Sequence, residues 1–302
     1  MAYLALVLTA GPLLAPWVYR AVQWVSGFEE AFVWLASQPF NRYVNRCLLT
    51  VALVAIWPLS ACIKVRSWAD VGLVKPRGRG HELKWGLVVG LISLAIAAAL
   101  ALAADARDLR SGLSLGGYAR TVVSATGTAV VVATIEELLF RGAIFGALRR
   151  AYGLAISMTV SSAVYAIVHF LQRSSAPDAV GWTTGFTVLG DMMRGFWNVE
   201  ALIPGFLNLF VAGLILALLV QRTGSLYASI GLHAGWIFSL KSYGALTQEV
   251  PGATVWVWGS DRLIDGWAAL LVLCLCLAAI ARLWQPKGPS KTLNTDGFLT
   301  LP

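Results

Sequence analysis

Charge is what this chain has least of. Asp, Glu, Lys and Arg make up 13% of 302 residues, against about 25% in ordinary soluble domains. Histidine occurs three times and cysteine four times. Cys47, Cys62, Cys274 and Cys276 lie in apolar runs with no metal-ligand spacing beyond a C-x-C, so they read as small buried hydrophobes. The sequence holds no H-E-x-x-H, which excludes zinc-protease chemistry of the usual kind. No serine route to catalysis stands out, and Ser161, Ser162, Ser229 and Ser239 read as small helix-packing residues. No internal repeat stands out, which counts against an inverted-repeat transporter. The N-terminus carries neither a basic segment nor a small-x-small cleavage site, so it is expected to be a retained first span.

What fills the chain instead is hydrocarbon. Hydrophobic residues make up 58%, and the mean hydropathy is +0.72. These values predict an all-α, polytopic transmembrane bundle, one integral membrane domain with its working cavity inside. Eight spans are expected, at roughly 3–19, 46–63, 84–104, 120–148, 153–171, 203–220, 225–243 and 265–283. Of the thirteen tryptophans, Trp17, Trp24, Trp57, Trp85 and Trp284 sit near span ends, where indole rings anchor at the interface. The segment 28–37 (FEEAFVWLAS) is too short to cross and reads as an interfacial helix. Pro12 and Pro16 predict a kinked first span.

The net charge of +8 does not form a nucleic-acid stripe. Basic residues cluster between spans, most densely in KPRGRGHELK at 75–84, which suits a cytoplasmic loop beside anionic lipid. Both termini are expected inside, in the inner (cell) membrane of a bacterium. Four segments follow: 1–115, N-terminal spans and the basic loop; 116–245, the core; 246–285, a loop and last span; and 286–302, a disordered tail. The connections 172–202 and 244–264 are unusually long for a bundle and are expected as loops that cover a site or lie in the interface.

The informative run is TIEELLFRG at 134–142. Each charge at mid-bilayer depth costs roughly 2.5–3.5 kcal/mol, so three within six residues imply a shared task. Glu137 and Arg141 are four apart, share a helical face and can pair. Glu136 lies about 100° around the axis and is free to meet something else. Two of the three histidines, His169 and His233, also fall inside expected spans, whereas His81 lies in the basic loop. A buried glutamate held ionised by a cation can take a proton from water. One histidine can orient that water, and another can donate to the oxygen that becomes negative when a carbonyl is attacked. The set suits amide hydrolysis. A zinc ion on Glu136, His169 and His233 is the competing arrangement.

These residues resemble a known family. Glu136-Glu137-x-x-x-Arg141 looks like the E-E-x-x-x-R motif of the CPBP (ABI) intramembrane metal-independent glutamic endopeptidases, which include the type II CAAX prenyl proteases. Tyr165 to His169 resembles the family's F-x-x-x-H with Tyr for Phe, and the stretch around His233 resembles its H-x-x-x-N. The resemblance spans roughly 120–243. It implies that Glu136 and His169 activate water, that Glu137 and Arg141 support them, and that His233 helps form the oxyanion site. It implies no cofactor. The family's asparagine position is Ile237 here, which cannot donate a hydrogen bond. Asn208 and Tyr165 are the polar residues considered for the substrate or oxyanion site.

The expected activity is cleavage of a peptide bond in a membrane-anchored or lipid-modified protein, with no nucleic acid as partner. Two other readings compete: a non-hydrolytic relative that binds a peptide as an immunity or scaffold protein, and a proton-coupled transporter.

Overall fold

The computed structural model describes residues 2–62, 67–171, 174–197 and 199–283. Its helices follow the apolar runs, because a backbone in hydrocarbon must satisfy its own hydrogen bonds. In chain order they are α1 (Ala2–Val25), α2 (Val33–Ala36), α3 (Phe40–Cys62), α4 (Gly80–Ala103), α5 (Leu115–Glu137) and α6 (Gly146–Ala151). These are followed by α7 (Leu154–Val168), α8 (Thr184–Met192), α9 (Val199–Thr223), α10 (Tyr227–Leu246), α11 (Val255–Trp258) and α12 (Trp267–Leu283). A π-helical turn, Leu138–Phe145, joins α5 to α6. Every expected span coincides with a helix. Four stretches, Tyr3–Val25, Gly80–Ala103, Leu115–Ala151 and Leu202–Thr223, are long and apolar enough to cross a membrane, so this is an integral membrane protein. Trp284 and the tail 286–302 lie outside the described residues.

The chain divides into two compact units. The first comprises Met1–Lys64 and His169–Asn198. Within it, Pro16 has no N–H to give the carbonyl of Pro12, and α8 packs at that point. A Cβ on Gly185 would come within 2.0 Å of Pro12 O. Tyr19 meets Phe40 and Tyr43 edge-on at 5.4 and 5.1 Å, and the Arg20 guanidinium lies 4.1 Å from the Trp182 ring centre. The segment read as an interfacial helix is a short 3-10 turn, Glu30–Phe32, running into α2. Helix α8 corrects the expectation of a loop over 172–202. At nine residues, with two glycines in the run, it falls below what periodicity can reveal.

The second unit comprises Val65–Val168 and the residues from Val199 onward. Its closest crossing joins α4 to α10. Gly86 and Gly90 face α10, where added Cβ atoms would lie 2.2 Å from Ala228 O and 2.3 Å from Leu232 O. Gly231 and Gly235 reciprocate against Leu83 O and Leu87 O, at 2.1 and 2.7 Å. Two G-x-x-x-G faces thus press backbone to backbone, the usual device where lipid removes any hydrophobic drive between helices. On α5, Ala125, Ala129, Ala133 and Glu137 form one buried line at four-residue spacing. Ala129 and Ala133 pack with Ala234, Ile237 and Phe238 of α10. Helix α9 packs between α7 and α12.

One further correction concerns this unit. The expected loop 244–264 begins as the last turn of α10 and continues as a strand, β2 (Thr247–Glu249). That strand pairs antiparallel with β1 (Arg107–Leu109), a small sheet the all-α reading did not include. Gly142 meets Val71 O of the turn Trp68–Val71, with a Cβ distance of 2.9 Å.

Candidate functional site

The glycine face of α10 determines where His233 points. Gly231 and Gly235 bind α4, and His233 is two residues from each, roughly 200° around the helix. It therefore turns away from α4, toward α5 and α7. There its Nδ1 lies 2.9 Å from Glu137 Oε1. The same carboxylate oxygen is 3.1 Å from Arg141 Nη1. Glu137, Arg141 and His233 are buried at 0%, 3% and 4% exposure, so the Glu137–Arg141 ion pair and the His233 ring form a network closed to solvent. Such a network holds only when every charge has a partner.

Arg141 sits in the π-helical turn, and this geometry often marks functional positions. Its guanidinium also donates to Gly213 O at 3.4 Å and lies 4.4 Å from the Tyr165 ring centre. Phe140 packs edge-on against Tyr165 with ring centres 5.1 Å apart, and its own ring centre lies 5.9 Å from the same guanidinium. The tyrosine hydroxyl then reaches His233 Nε2 at 3.3 Å. Glu136 Oε2 approaches the same ring nitrogen at 3.7 Å. Unlike Glu137, Glu136 keeps 24% of its side chain accessible. The two adjacent carboxylates are therefore unlike: Glu137 is sealed in the network, and Glu136 keeps part of its side chain exposed while its Oε2 is buried beside His233.

Of the residues proposed from sequence, Glu136, Glu137, Arg141, Tyr165 and His233 meet here. The Glu137–Arg141 pair has the expected i, i+4 geometry; the direct bond from Glu137 to His233 was not foreseen. His169 stands just past the end of α7, in a turn, and belongs to the other compact unit. Asn208 is fully buried, and its amide nitrogen donates to Pro204 O and Gly266 O at 2.8 and 2.9 Å, tying α9 to the start of α12. Ile237 packs on the alanine line of α5. Among the described residues, no group of three or more His, Cys, Asp or Glu has the arrangement to hold a metal ion.

A second buried carboxylate escaped the sequence reading. Glu82, at 5% exposure, pairs with Arg79 at 2.6 Å and accepts the Ser225 hydroxyl. Arg79 also donates to Thr223 O at 3.2 Å. Together with Leu226 N to Gly72 O, at 2.9 Å, these bonds fix the turn from which α10 starts. The hint was present in KPRGRGHELK, where one acid stands at the beginning of an apolar helix.

Fold and site define an integral membrane protein with a buried Glu–Arg–His network beside one accessible glutamate. Residues 118–239 match the family model described as Type II CAAX prenyl endopeptidase Rce1-like. Over that segment the chain is similar to a family of proteases, in agreement with its motifs, and the segment contains Glu136, Glu137, Arg141, His169 and His233. Searches of the curated proteins and of the solved structures returned no significant match.

Proposed function

We propose that this protein is an intramembrane glutamic endopeptidase that cleaves a membrane-anchored or lipid-modified protein near the bilayer surface. The observation that carries the reading is the split between the two glutamates. Glu137 is committed to Arg141 and His233, while Glu136 keeps a partly accessible side chain whose Oε2 lies 3.7 Å from the second nitrogen of the same histidine.

In this mechanism Glu136 takes a proton from the attacking water, and the water oxygen bonds to the carbonyl carbon. His169 shares in activating that water, on the strength of its F-x-x-x-H-like spacing from Tyr165. Glu137 and Arg141 hold His233 in place, and His233 lines the oxyanion site. As the tetrahedral intermediate collapses, Glu136 returns the proton to the leaving amine nitrogen and the carbonyl re-forms. The chemistry requires no metal: activity should survive a chelator, and inhibition reversed by added zinc would sink the metal-free route. A prenylated cysteine near a C-terminus is the substrate class that the family's name suggests, in the inner membrane of a bacterial cell, with no role for nucleic acid.

Ile237 favours a second reading, a non-catalytic relative that binds a peptide in the same place, since an isoleucine packed on Ala129 and Ala133 supplies no oxyanion donor. One comparison separates the two. Protein termini are compared in cells carrying the natural chain and in cells carrying Glu136→Gln. The protease reading expects termini that vanish in the variant, and identical termini with an unchanged phenotype would support the binding protein instead.

A further inference from the structure

The geometry points to Tyr165 as a catalytic residue whose hydroxyl donates to the oxyanion. This deepens the endopeptidase reading and rests on it. A tetrahedral intermediate at an amide places a full negative charge on the former carbonyl oxygen, and that charge must be met by hydrogen-bond donors in a site shielded from water. Three other residues are poorly placed to donate. Ile237, one turn further along α10, has none. Asn208 has its amide nitrogen engaged by Pro204 O and Gly266 O. Arg141 is committed to Glu137 and Gly213 O.

Tyr165 differs from all of these. Its ring is held by two neighbours that also meet each other, the Arg141 guanidinium, 4.4 Å from the ring centre, and the edge-on Phe140 ring. Those contacts hold the hydroxyl 3.3 Å from His233 Nε2, at the long end of hydrogen-bond lengths. On the same side, Glu136 Oε2 stands 3.7 Å from Nε2. The hydroxyl therefore sits beside the proposed base, on the side where a scissile carbonyl must lie for Glu136 to direct water at it. When the water oxygen bonds to carbon, the carbonyl π pair moves onto oxygen and the water proton goes to Glu136. Tyr165 keeps its own proton and turns it from Nε2 to the new oxyanion. On collapse the C–N bond breaks, the proton passes from Glu136 to nitrogen, and the tyrosine hydroxyl returns to Nε2.

The substitution Tyr165→Phe removes one oxygen and keeps the ring contacts with Arg141 and Phe140. The full-length protein in nanodiscs is given a fluorophore–quencher peptide bearing a farnesylated cysteine near its C-terminus. Binding of a phosphinate analogue of that peptide, which mimics the tetrahedral state, is measured in parallel. The expected result is a kcat about 10²-fold lower, in the range for loss of one oxyanion donor. KM should stay within about twofold, and the phosphinate should weaken by about the same factor as kcat. An unchanged kcat overturns the assignment. So does an equal loss of KM and phosphinate affinity, which would mark the hydroxyl as structural. If the natural chain cleaves no faster than Glu136→Gln, the endopeptidase reading fails first and the assignment falls with it. If it is faster while Tyr165→Phe matches the natural chain, only the assignment fails.

Discussion

Helix α10 has two faces built on opposite principles. One face, Gly231 and Gly235, has no side chains and lets the backbone of α4 approach until added Cβ atoms would lie 2.1 and 2.7 Å from its carbonyls. The other bears His233, held through the Glu137 carboxylate to Arg141. The first face fixes where the helix lies, and the second uses that position. A bare-backbone crossing cannot slide by a fraction of a residue without collision, so a histidine projecting from its far side is placed as rigidly as the crossing itself. This suits a site whose reacting groups must be held within about 0.5 Å.

The comparison can be broken from either side. The largest expected effect is on the charged face. Arg141→Met leaves Glu137 buried with only His233 beside it, and removing one member of a buried pair typically costs about 3–5 kcal/mol. Thermal unfolding in detergent should show a large drop in midpoint, and an unchanged midpoint would mean that the network contributes no stability. Next comes the glycine face. Gly231→Leu forces a side chain into Leu83 O, and overpacking of this kind costs about 3 kcal/mol when backbone blocks the way. It should lower the midpoint and cleavage together, because α10 carries His233 with it. A variant that unfolds earlier yet cleaves normally would uncouple the two faces.

The smallest expected effect is at the turn where α10 begins. Ser225→Ala removes the hydroxyl that Glu82 accepts, and one such bond is worth about 1 kcal/mol, more when the acceptor is charged. The midpoint should fall slightly with kcat nearly unchanged, and a collapse of activity would place Glu82 closer to the chemistry than its position implies.

Part of this was legible in the chain and part was not. Charges inside an apolar run are visible without any structure, because the cost of burying them is local, and the four-residue step from Glu137 to Arg141 is a property of one helix. The same step describes Ala125, Ala129 and Ala133, which put Glu137 on the face turned to α10. What a single helix cannot reveal is which of its neighbours a residue meets. The bond from Glu137 to His233 depends on α4 holding the other side of α10, so it became visible only once Gly86, Gly90, Gly231 and Gly235 were seen to interlock. G-x-x-x-G also occurs at 142–146, but the pairs at 86–90 and 231–235 make the crossing of α4 and α10. The pattern alone does not say which copy finds a partner. Helix α8 and the strands β1 and β2 are too short for any period to show, and their pairing is set by residues about 140 positions apart.

The central claim is that the two adjacent glutamates do different work, Glu136 reacting and Glu137 holding. The most direct measurement compares Glu136→Gln with Glu137→Gln in the purified protein, recording cleavage rate and unfolding midpoint for each. The account predicts that Glu136→Gln abolishes cleavage with the midpoint nearly unchanged, while Glu137→Gln lowers the midpoint clearly. Full cleavage by Glu136→Gln, or a loss of stability in that variant as large as in Glu137→Gln, would contradict it.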